Sequence, residues 1–238
     1  MGFTFFWNEF FYRPLFNGLF FIYQLIGFYD LGIAIILLTA LVRLILLPVF
    51  HKSIKTQVIL QKIQPEIRKI QEEYKNEREV QARKMMDIYK EHNINPFSGF
   101  LFLLLQIPIF IGLYQVFNQH FNEESFTALY SFISAPISVD PSFLNLINLY
   151  ESSIVLVVIA AILQFFQGYI TLPKREKGTE LQFQEQINRN MVYLAPLLTL
   201  LILPKLPSAV ALYWATSTVI SIIQQKYFIK IRKNDLVV

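Results

Sequence analysis

The fold of this chain is decided by residues 27–50, GFYDLGIAIILLTALVRLILLPVF, which are almost entirely apolar. As a helix that rises about 1.5 Å per residue, this stretch would extend roughly 36 Å, which is enough to cross a bilayer. Arg43 stands inside it. A charge is costly in such a segment and persists where it faces protein interior or trapped water, so Arg43 is the first candidate functional residue. The structural alternative is that its long side chain reaches the lipid headgroups.

The composition is that of an integral membrane protein. The chain has 238 residues, of which 54% are hydrophobic and 23 are Phe, and its mean hydropathy is +0.43. A soluble fold of this size would not easily hide so much apolar surface. There is no Cys, and the three histidines, His51, His92 and His120, do not have metal-ligand spacing. Nucleotide-binding and hydrolase motifs are absent, so the sequence predicts no enzyme, no catalytic residue, no metal site and no cofactor.

The sequence predicts an all-α polytopic membrane protein, because lipid offers no partner to unpaired backbone groups. The predicted segments are an amphipathic interfacial helix (1–26), five transmembrane helices (27–50, 96–118, 154–172, 189–204 and 207–228), a cytoplasmic helical hairpin (51–95), an extracytoplasmic segment (119–153), a cytoplasmic loop (173–188) and a cytoplasmic tail (229–238). The fourth span is short, so either its helix starts earlier, near Ile187, or the bilayer thins around it. The first segment has an alternative interpretation as the irregular outer end of the first span.

The distribution of Lys and Arg predicts the orientation. All of these residues except Arg13, Arg43 and Lys205 fall in residues 51–95, 174–189 and 226–233. Residues 118–153 contain no Lys or Arg and carry four acidic residues. The positive-inside rule therefore places the amino terminus outside and the carboxyl terminus in the cytoplasm. The net charge of +4 then needs no nucleic-acid partner to explain it.

The basic connection between the first two spans has helical periodicity. Apolar residues recur at three- and four-residue spacing in residues 60–74 and again in 80–92, with a turn predicted at 75–78. Two such amphipathic helices would pair through their apolar faces. The hairpin is either a spacer or a docking arm for a nascent chain, a ribosome or another partner.

Polar side chains recur inside the predicted spans. Thr39 lies four residues before Arg43 and so shares its helix face. The fifth span carries a polar stripe, and Gln106 and Gln164 add amides to the second and third spans. Such residues either line a hydrated cavity around Arg43 or hold neighbouring helices together. The stripe consists of Tyr213, Thr216, Ser217, Ser221 and Gln224.

Several short motifs, taken in order, resemble the YidC/Oxa/Alb family of membrane protein insertases. The resemblance covers nearly everything from about residue 27 to residue 228, and it rests on the motifs together rather than on any one of them. They are GIAIILLTALVR (32–43) with Pro48, Gln64-Pro65, Asn95-Pro96, QIPIFIGLY (106–114), and LPSAVALYW (206–214) followed by Gln224-Gln225.

The resemblance implies a function and a site. Members of this family have a five-helix core around a groove that is open to the cytoplasm and to lipid but closed to the outside. The matching arginine is thought to bind acidic residues of an incoming segment, while the hydrophobic segment leaves past the third and fifth core helices. Carried over, the substrate-binding groove would consist of Arg43, Thr39, Gln106, Gln164, Tyr213, Trp214 and Ser217.

The implied partners are newly made membrane proteins and the lipid bilayer, with the ribosome, the signal recognition pathway and the Sec translocon as further candidates. Unlike some members, the chain shows no additional amino-terminal span, no large extracytoplasmic domain and no lipid-modified cysteine. It also has only a short tail with which to tether a ribosome. Two other functions are considered: a small-solute transporter or channel, for which internal repeats are expected but not found, and a membrane scaffold that recruits a soluble partner through the hairpin.

Overall fold

A computed structural model describes residues 2–27, 29–95, 98–119, 121, 124–172 and 183–234. This part of the chain is mostly helical, with one small sheet. Parts of the predicted segments lie outside the described residues: the start of the second span (96–97), most of the cytoplasmic loop (173–182) and the last residues of the tail (235–238).

The described elements follow one another along the chain with short connections. The helices are α1 (Gly2–Trp7), a π-helical turn (Asn8–Tyr12), α2 (Arg13–Leu25), α3 (Leu31–Ile45), α4 (Leu47–Glu73), α5 (Arg78–Glu91), α6 (Ser98–Phe117), α7 (Ile154–Thr171), α8 (Phe183–Ile202) and α9 (Ser208–Asn234), with 3₁₀ turns at Ser125–Ala128 and Leu203–Lys205. Strands β1 (Ser142–Phe143) and β2 (Ile147–Asn148) form an antiparallel hairpin in which Ser142 lies opposite Asn148.

Length and hydropathy single out few of the described helices as spans. Helix α7 is long and apolar enough to cross a membrane by itself. Helices α3 and α4 meet the same criterion only when taken together. Within α6, the shorter segment Leu104–Phe117 is apolar. The five-span topology therefore stays a prediction.

The stretch at residues 27–50, which was expected to be one helix, is interrupted. Helix α3 begins after Asp30, whose Oδ1 accepts a hydrogen bond from the backbone N–H of Ile33 at 2.9 Å. It ends at Ile45, and α4 continues at an angle of 64°. Pro48 explains the break, because it has no N–H to donate to the Leu44 carbonyl of a continuous helix. Arg43 therefore lies just before a bend rather than two turns inside a straight helix.

The predicted interfacial segment is partly a core element. Helix α2, the second half of this segment, contributes buried side chains, and Phe16, Leu19 and Phe20 are fully enclosed. Helix α2 packs against α3 and α6. By contrast, Phe5, Phe6 and Phe10 in the first part are exposed, as an interfacial helix requires. Residues 1–26 thus combine an exposed aromatic beginning with a packed second half.

The last two predicted spans belong to longer helices. Helix α8 begins at Phe183, about one turn before the early start expected near Ile187, and its final turn is followed by the 3₁₀ turn at Leu203–Lys205. Helix α9 begins at Ser208 and runs to Asn234, past the expected end at residue 228. Most of the predicted tail is therefore a continuation of α9.

Helices α4 and α5 pack against each other around the turn at residues 74–77. Their described contacts are largely polar. Gln81 donates to the Gln71 carbonyl at 3.0 Å, and His92 lies 3.5 Å from the Glu66 carboxylate. No residue of α5 is fully buried, so the two apolar stripes do not form a closed core between these helices.

The arrangement of the apolar helices positions the site. Helix α9 is central: α3 packs on one side of it and α7 on another, and α7 also packs against α8. Helix α6 packs against α4 and against the amino-terminal segment, both the π-helical turn and α2, with fewer contacts to α9. Among the described residues, α6 and α8 do not pack closely together, and this leaves a gap between them.

Candidate functional site

Arg43 is buried where α3, α4 and α9 meet. Only 7% of the residue is exposed. Its Nε donates a hydrogen bond to the Ser217 Oγ on α9 at 2.9 Å, and its Nη2 donates to the same oxygen. The guanidinium carbon also lies 5.8 Å from the centre of the Phe50 ring on α4, within the range of a cation–π contact. Packing among three helices therefore fixes the position of this cation.

Tyr213 extends this polar group toward α6. It lies one turn before Ser217 on α9 and is 2% exposed. Its hydroxyl accepts a hydrogen bond from Nε2 of Gln106. The Gln106–Tyr213 pair therefore lies one helical turn along α9 from the Arg43–Ser217 pair. Such bonds are strengthened in a low-dielectric interior.

Thr39 shares the buried face of Arg43 but is bonded within its own helix. Its hydroxyl donates to the Ile35 carbonyl at 2.6 Å, and the residue is almost completely enclosed. A threonine can satisfy its hydroxyl in this way inside a helix. The structure therefore places Thr39 in the buried face of α3, one turn before Arg43.

An apolar cavity lies between α6, α7, α8 and α9. Its volume is about 340 Å³. Three of the predicted groove residues, Gln106, Gln164 and Trp214, contribute to its wall. The side-chain Oε1 atom of Gln164 accepts a hydrogen bond from the Thr199 hydroxyl on α8. The rest of the wall is largely aliphatic and aromatic: Ile107, Phe110, Ala195, Leu198, Ile202 and Leu203.

A second cavity, of about 460 Å³, adjoins the first. The two cavities share Gln164 and Ala195 in their walls. The second cavity lies among α4, α7, α8 and α9, and its most frequent lining residue is glutamine. We call it the glutamine vestibule and define it by six side chains: Gln57, Gln61, Gln64, Gln164, Gln167 and Gln225.

The apolar cavity is flanked by the gap between α6 and α8. Ile107 on α6 and Leu198 on α8 line this cavity, and each is nearly half exposed. The family resemblance implied an exit past the third and fifth core helices, which are α7 and α9. Those two helices pack extensively on each other. The helices that line the apolar cavity with few contacts to each other are the second and fourth predicted core helices, α6 and α8, and the exit stays a prediction.

The predicted groove residues thus fall into two connected groups. Arg43, Thr39, Tyr213 and Ser217 form a buried polar group, whereas Gln106, Gln164 and Trp214 line the apolar cavity. Gln106 belongs to both, because it contacts Tyr213 and the cavity. Arg43 is in the wall of neither of the two cavities.

Comparison with known proteins identifies the family. The model of the family described as "60Kd inner membrane protein" matches residues 21–235, which is most of the chain. The chain belongs to this family. That result confirms the resemblance to the YidC/Oxa/Alb proteins and supports a membrane location for this family member.

Relatives in this family carry the name "Membrane protein insertase YidC". The protein from Clostridium tetani is 36% identical over 192 residues, which covers 81% of this chain and 78% of the relative. The protein from Fusobacterium nucleatum is 32% identical over 201 residues, covering 84% and 87%. A longer relative from Citrifermentans bemidjiense is 30% identical over 218 residues. The chain spans 36% of that relative's length.

Sequence reasoning did not select several residues that contact Arg43 or line the cavities. Phe50 under the guanidinium, Thr199 beside Gln164 and the glutamines of α4 were not predicted. Gln57, Gln61 and Gln64 have helical spacing, so a shared face was readable from the sequence. The sequence did not reveal which helices this face contacts, because the bend between α3 and α4 determines that.

Proposed function

We propose that the chain is a membrane protein insertase. It takes short extracellular segments of a newly made protein into a groove from the cytoplasmic side and releases the adjoining hydrophobic segment into lipid. Family membership supports this function, as do the insertase names of the relatives from Clostridium tetani and Fusobacterium nucleatum.

The observation that carries the proposal is that a polar cavity and an apolar cavity lie side by side. The glutamine vestibule adjoins the apolar cavity, and the apolar cavity is flanked by the gap between α6 and α8. A polar tail and an apolar segment of one substrate would therefore meet different walls. The apolar segment would lie beside the gap through which it reaches lipid.

The topology proposed for this function has five core spans, α3, α6, α7, α8 and α9. The basic residues of α4, α5 and the end of α9 support placing those regions in the cytoplasm, with the amino terminus outside. On this topology the vestibule opens on the cytoplasmic side, since α4 carries three of its glutamines. The ribosome, the signal recognition pathway and the Sec translocon are the proposed sources of substrate, with the basic α4–α5 arm as the contact.

Transfer energies explain why such a device needs no nucleotide. An apolar segment of about 20 residues gains roughly 6–12 kcal/mol on entering a bilayer, whereas one acidic residue at the bilayer centre costs about 3 kcal/mol. The gain exceeds the cost for a tail with one or two charges but not for a tail with many. The proposed substrates are therefore those with short, weakly charged extracellular segments.

Arg43 is proposed to lower the barrier for acidic tails. Its described hydrogen-bond acceptor, the Ser217 hydroxyl, is neutral, and a carboxylate is a stronger acceptor for a guanidinium. A substrate carboxylate that reached Arg43 would exchange a bond to a neutral acceptor for an ion pair in which both donor and acceptor are charged. The barrier to moving that carboxylate into the membrane would fall accordingly.

The test is insertion into liposomes that contain the purified chain, scored by protection of the substrate tail from external protease. Two single-span substrates are compared, one with two Asp residues in its amino-terminal tail and one with Asn at those positions. For Arg43→Ala we expect the Asp substrate to insert about tenfold more slowly or worse, because a hydrogen bond to a charged group contributes about 1.5–3 kcal/mol. The Asn substrate should change little.

The matched control is Arg13→Ala. It removes a cation that pairs with Glu9 at 2.8 Å in the amino-terminal segment, and it should slow neither substrate selectively. If the Arg43→Ala variant slows both substrates equally, or neither, the electrostatic role of Arg43 is contradicted, but the insertase function is not. If liposomes with the wild-type chain take up substrate no faster than empty liposomes, the insertase function itself is contradicted.

A further inference from the structure

The glutamine vestibule is unusual for its uniform chemistry. Among the residues that the structure describes, its wall contains six carboxamide side chains from three helices and no Lys, Arg, Asp or Glu. Three of the amides lie on one face of α4, at Gln57, Gln61 and Gln64, and face those of α7 and α9 across the cavity. A volume of about 460 Å³ is enough for a few residues of extended chain.

One of these amides has an acceptor without a partner in the described part of the chain. The Oε1 atom of Gln225 is buried and makes no hydrogen bond to any described residue. The residue is only 7% exposed and lines the vestibule. A buried acceptor is costly to leave unpaired, and because Oε1 has no exposed surface, it can pair with a donor in the vestibule only after the Gln225 side chain turns toward the cavity.

The other amides retain hydrogen-bonding capacity. Gln61 donates from Nε2 to the Thr171 carbonyl at 2.8 Å, and Gln164 accepts from Thr199. Each carboxamide has two N–H donors and an oxygen with two acceptor sites. A single bond to the protein therefore leaves donors or acceptors on both of them for a ligand.

A polypeptide backbone matches this set of groups. Every residue other than proline presents one N–H donor and one C=O acceptor, whatever its side chain. Neutral amides can pair with both without adding charge at the entrance to a membrane, where charge is penalised. A charged wall would instead select or repel particular side chains.

We infer that the glutamine vestibule binds the extended backbone of the translocated segment through its main-chain amides, independently of sequence. The inference rests on the proposed insertase function and adds the group that is recognised. The vestibule would replace water as hydrogen-bonding partner for the tail while the adjoining apolar segment occupies the cavity next to it.

The test uses two synthetic single-span substrates with neutral tails, so that Arg43 contributes equally to both. One tail contains four consecutive alanines, and the other has N-methyl-alanine at the same positions, which removes the N–H donors but keeps the C=O groups. In liposomes with the wild-type chain, the alanine tail should become protease-protected at least about fivefold faster, which corresponds to one hydrogen bond of about 1 kcal/mol made by one of the four N–H groups.

Replacing Gln61, Gln64 and Gln225 together by Leu should abolish this difference by slowing the alanine substrate to the rate of the methylated one. The matched control is Gln71→Leu, a glutamine of the same helix outside the vestibule wall, which should preserve the fivefold ratio. A conservative second variant, Gln64→Asn, keeps an amide at this position and is expected to fold normally. It should retain most of the difference in rate between the two tails.

The outcomes distinguish a failure of backbone recognition from a failure of the insertase function. If the wild-type chain inserts both tails at the same rate above empty liposomes, backbone recognition is wrong and the insertase stands. If those equal rates also change with the lipid headgroup, the vestibule is a lipid site instead. If neither tail inserts above background, the proposed function fails first. A ratio that survives in the triple variant also overturns the inference.

Discussion

At the scale of single residues, Arg43 shows how a charge is accommodated inside an apolar helix. Ser217 accepts from two of its nitrogens, and Phe50 offers a ring face to the cation. One turn earlier on α9, Tyr213 accepts a hydrogen bond from Gln106. The Ser217 hydroxyl therefore orients the cation and joins α3 to α9.

Ser217→Ala should destabilise the protein because it removes the acceptor for the guanidinium. A hydrogen bond to a charged group contributes about 1.5–3 kcal/mol, so the thermal midpoint in detergent should fall clearly. Ser221→Ala is the matched control, since Ser221 lies one turn further on α9 and donates only to the Ser217 carbonyl of its own helix at 2.9 Å. Equal losses for the two variants would contradict the assigned role of Ser217.

At the scale of elements, the connection between α3 and the extracytoplasmic segment depends on one carboxylate. Asp30 accepts from the Ile33 backbone N–H with Oδ1 and from the Leu144 backbone N–H with Oδ2, at 2.9 and 2.7 Å. It therefore caps α3 and holds the β1–β2 turn against the helix start. The cap defines where α3 begins, as Pro48 defines where it bends.

Asp30→Ala should expose both amides, whereas Asp30→Asn should keep the helix cap and lose only the contact to Leu144. Asparagine is as good an N-cap as aspartate but has one carbonyl oxygen, and loss of a cap costs about 1 kcal/mol. Hydrogen exchange measured at Ile33 and Leu144 checks this. Unchanged protection of both amides in Asp30→Ala would show that the carboxylate is dispensable.

At the scale of the whole molecule, the proposed lateral release depends on the gap between α6 and α8. Helix α7 packs against both α8 and α9, whereas α6 packs against α4 and the amino-terminal segment, with fewer contacts to α9. Widening the gap would therefore separate α6 from the α7–α8–α9 group. The two cavities lie along this division and would change shape with it.

A tether across the gap should arrest release. The chain has no Cys, so Ile107→Cys with Leu198→Cys gives a single pair for a short dithiol-specific cross-linker that is cleavable by reduction. Cross-linked protein should insert substrate at the background rate and recover on reduction, because the apolar segment can no longer pass between the helices. Single-cysteine variants treated identically are the controls. Full activity of quantitatively cross-linked protein would rule out this exit.

Some of the structure was readable from the sequence because the signal is local. The apolar run at 154–172 predicted α7 to within one residue of its end, since its composition changes abruptly at both ends. The bend after Arg43 was not predicted, because a proline at the start of a helix is compatible with either a straight or an angled continuation. Residues 1–26 were read as interfacial, since an aromatic pattern does not reveal which half is packed.

The sequence by itself determined the family, the mostly helical class and the presence of a cation within an apolar stretch, because composition, periodicity and ordered motifs carry that information without contacts. Only the tertiary structure decided that Arg43 binds Ser217 over Phe50, that six glutamines from three helices line one cavity, and that a gap lies between α6 and α8. The physical reason is that these features join residues far apart in the chain, and their proximity follows from the bend between α3 and α4 and from the packing around α9.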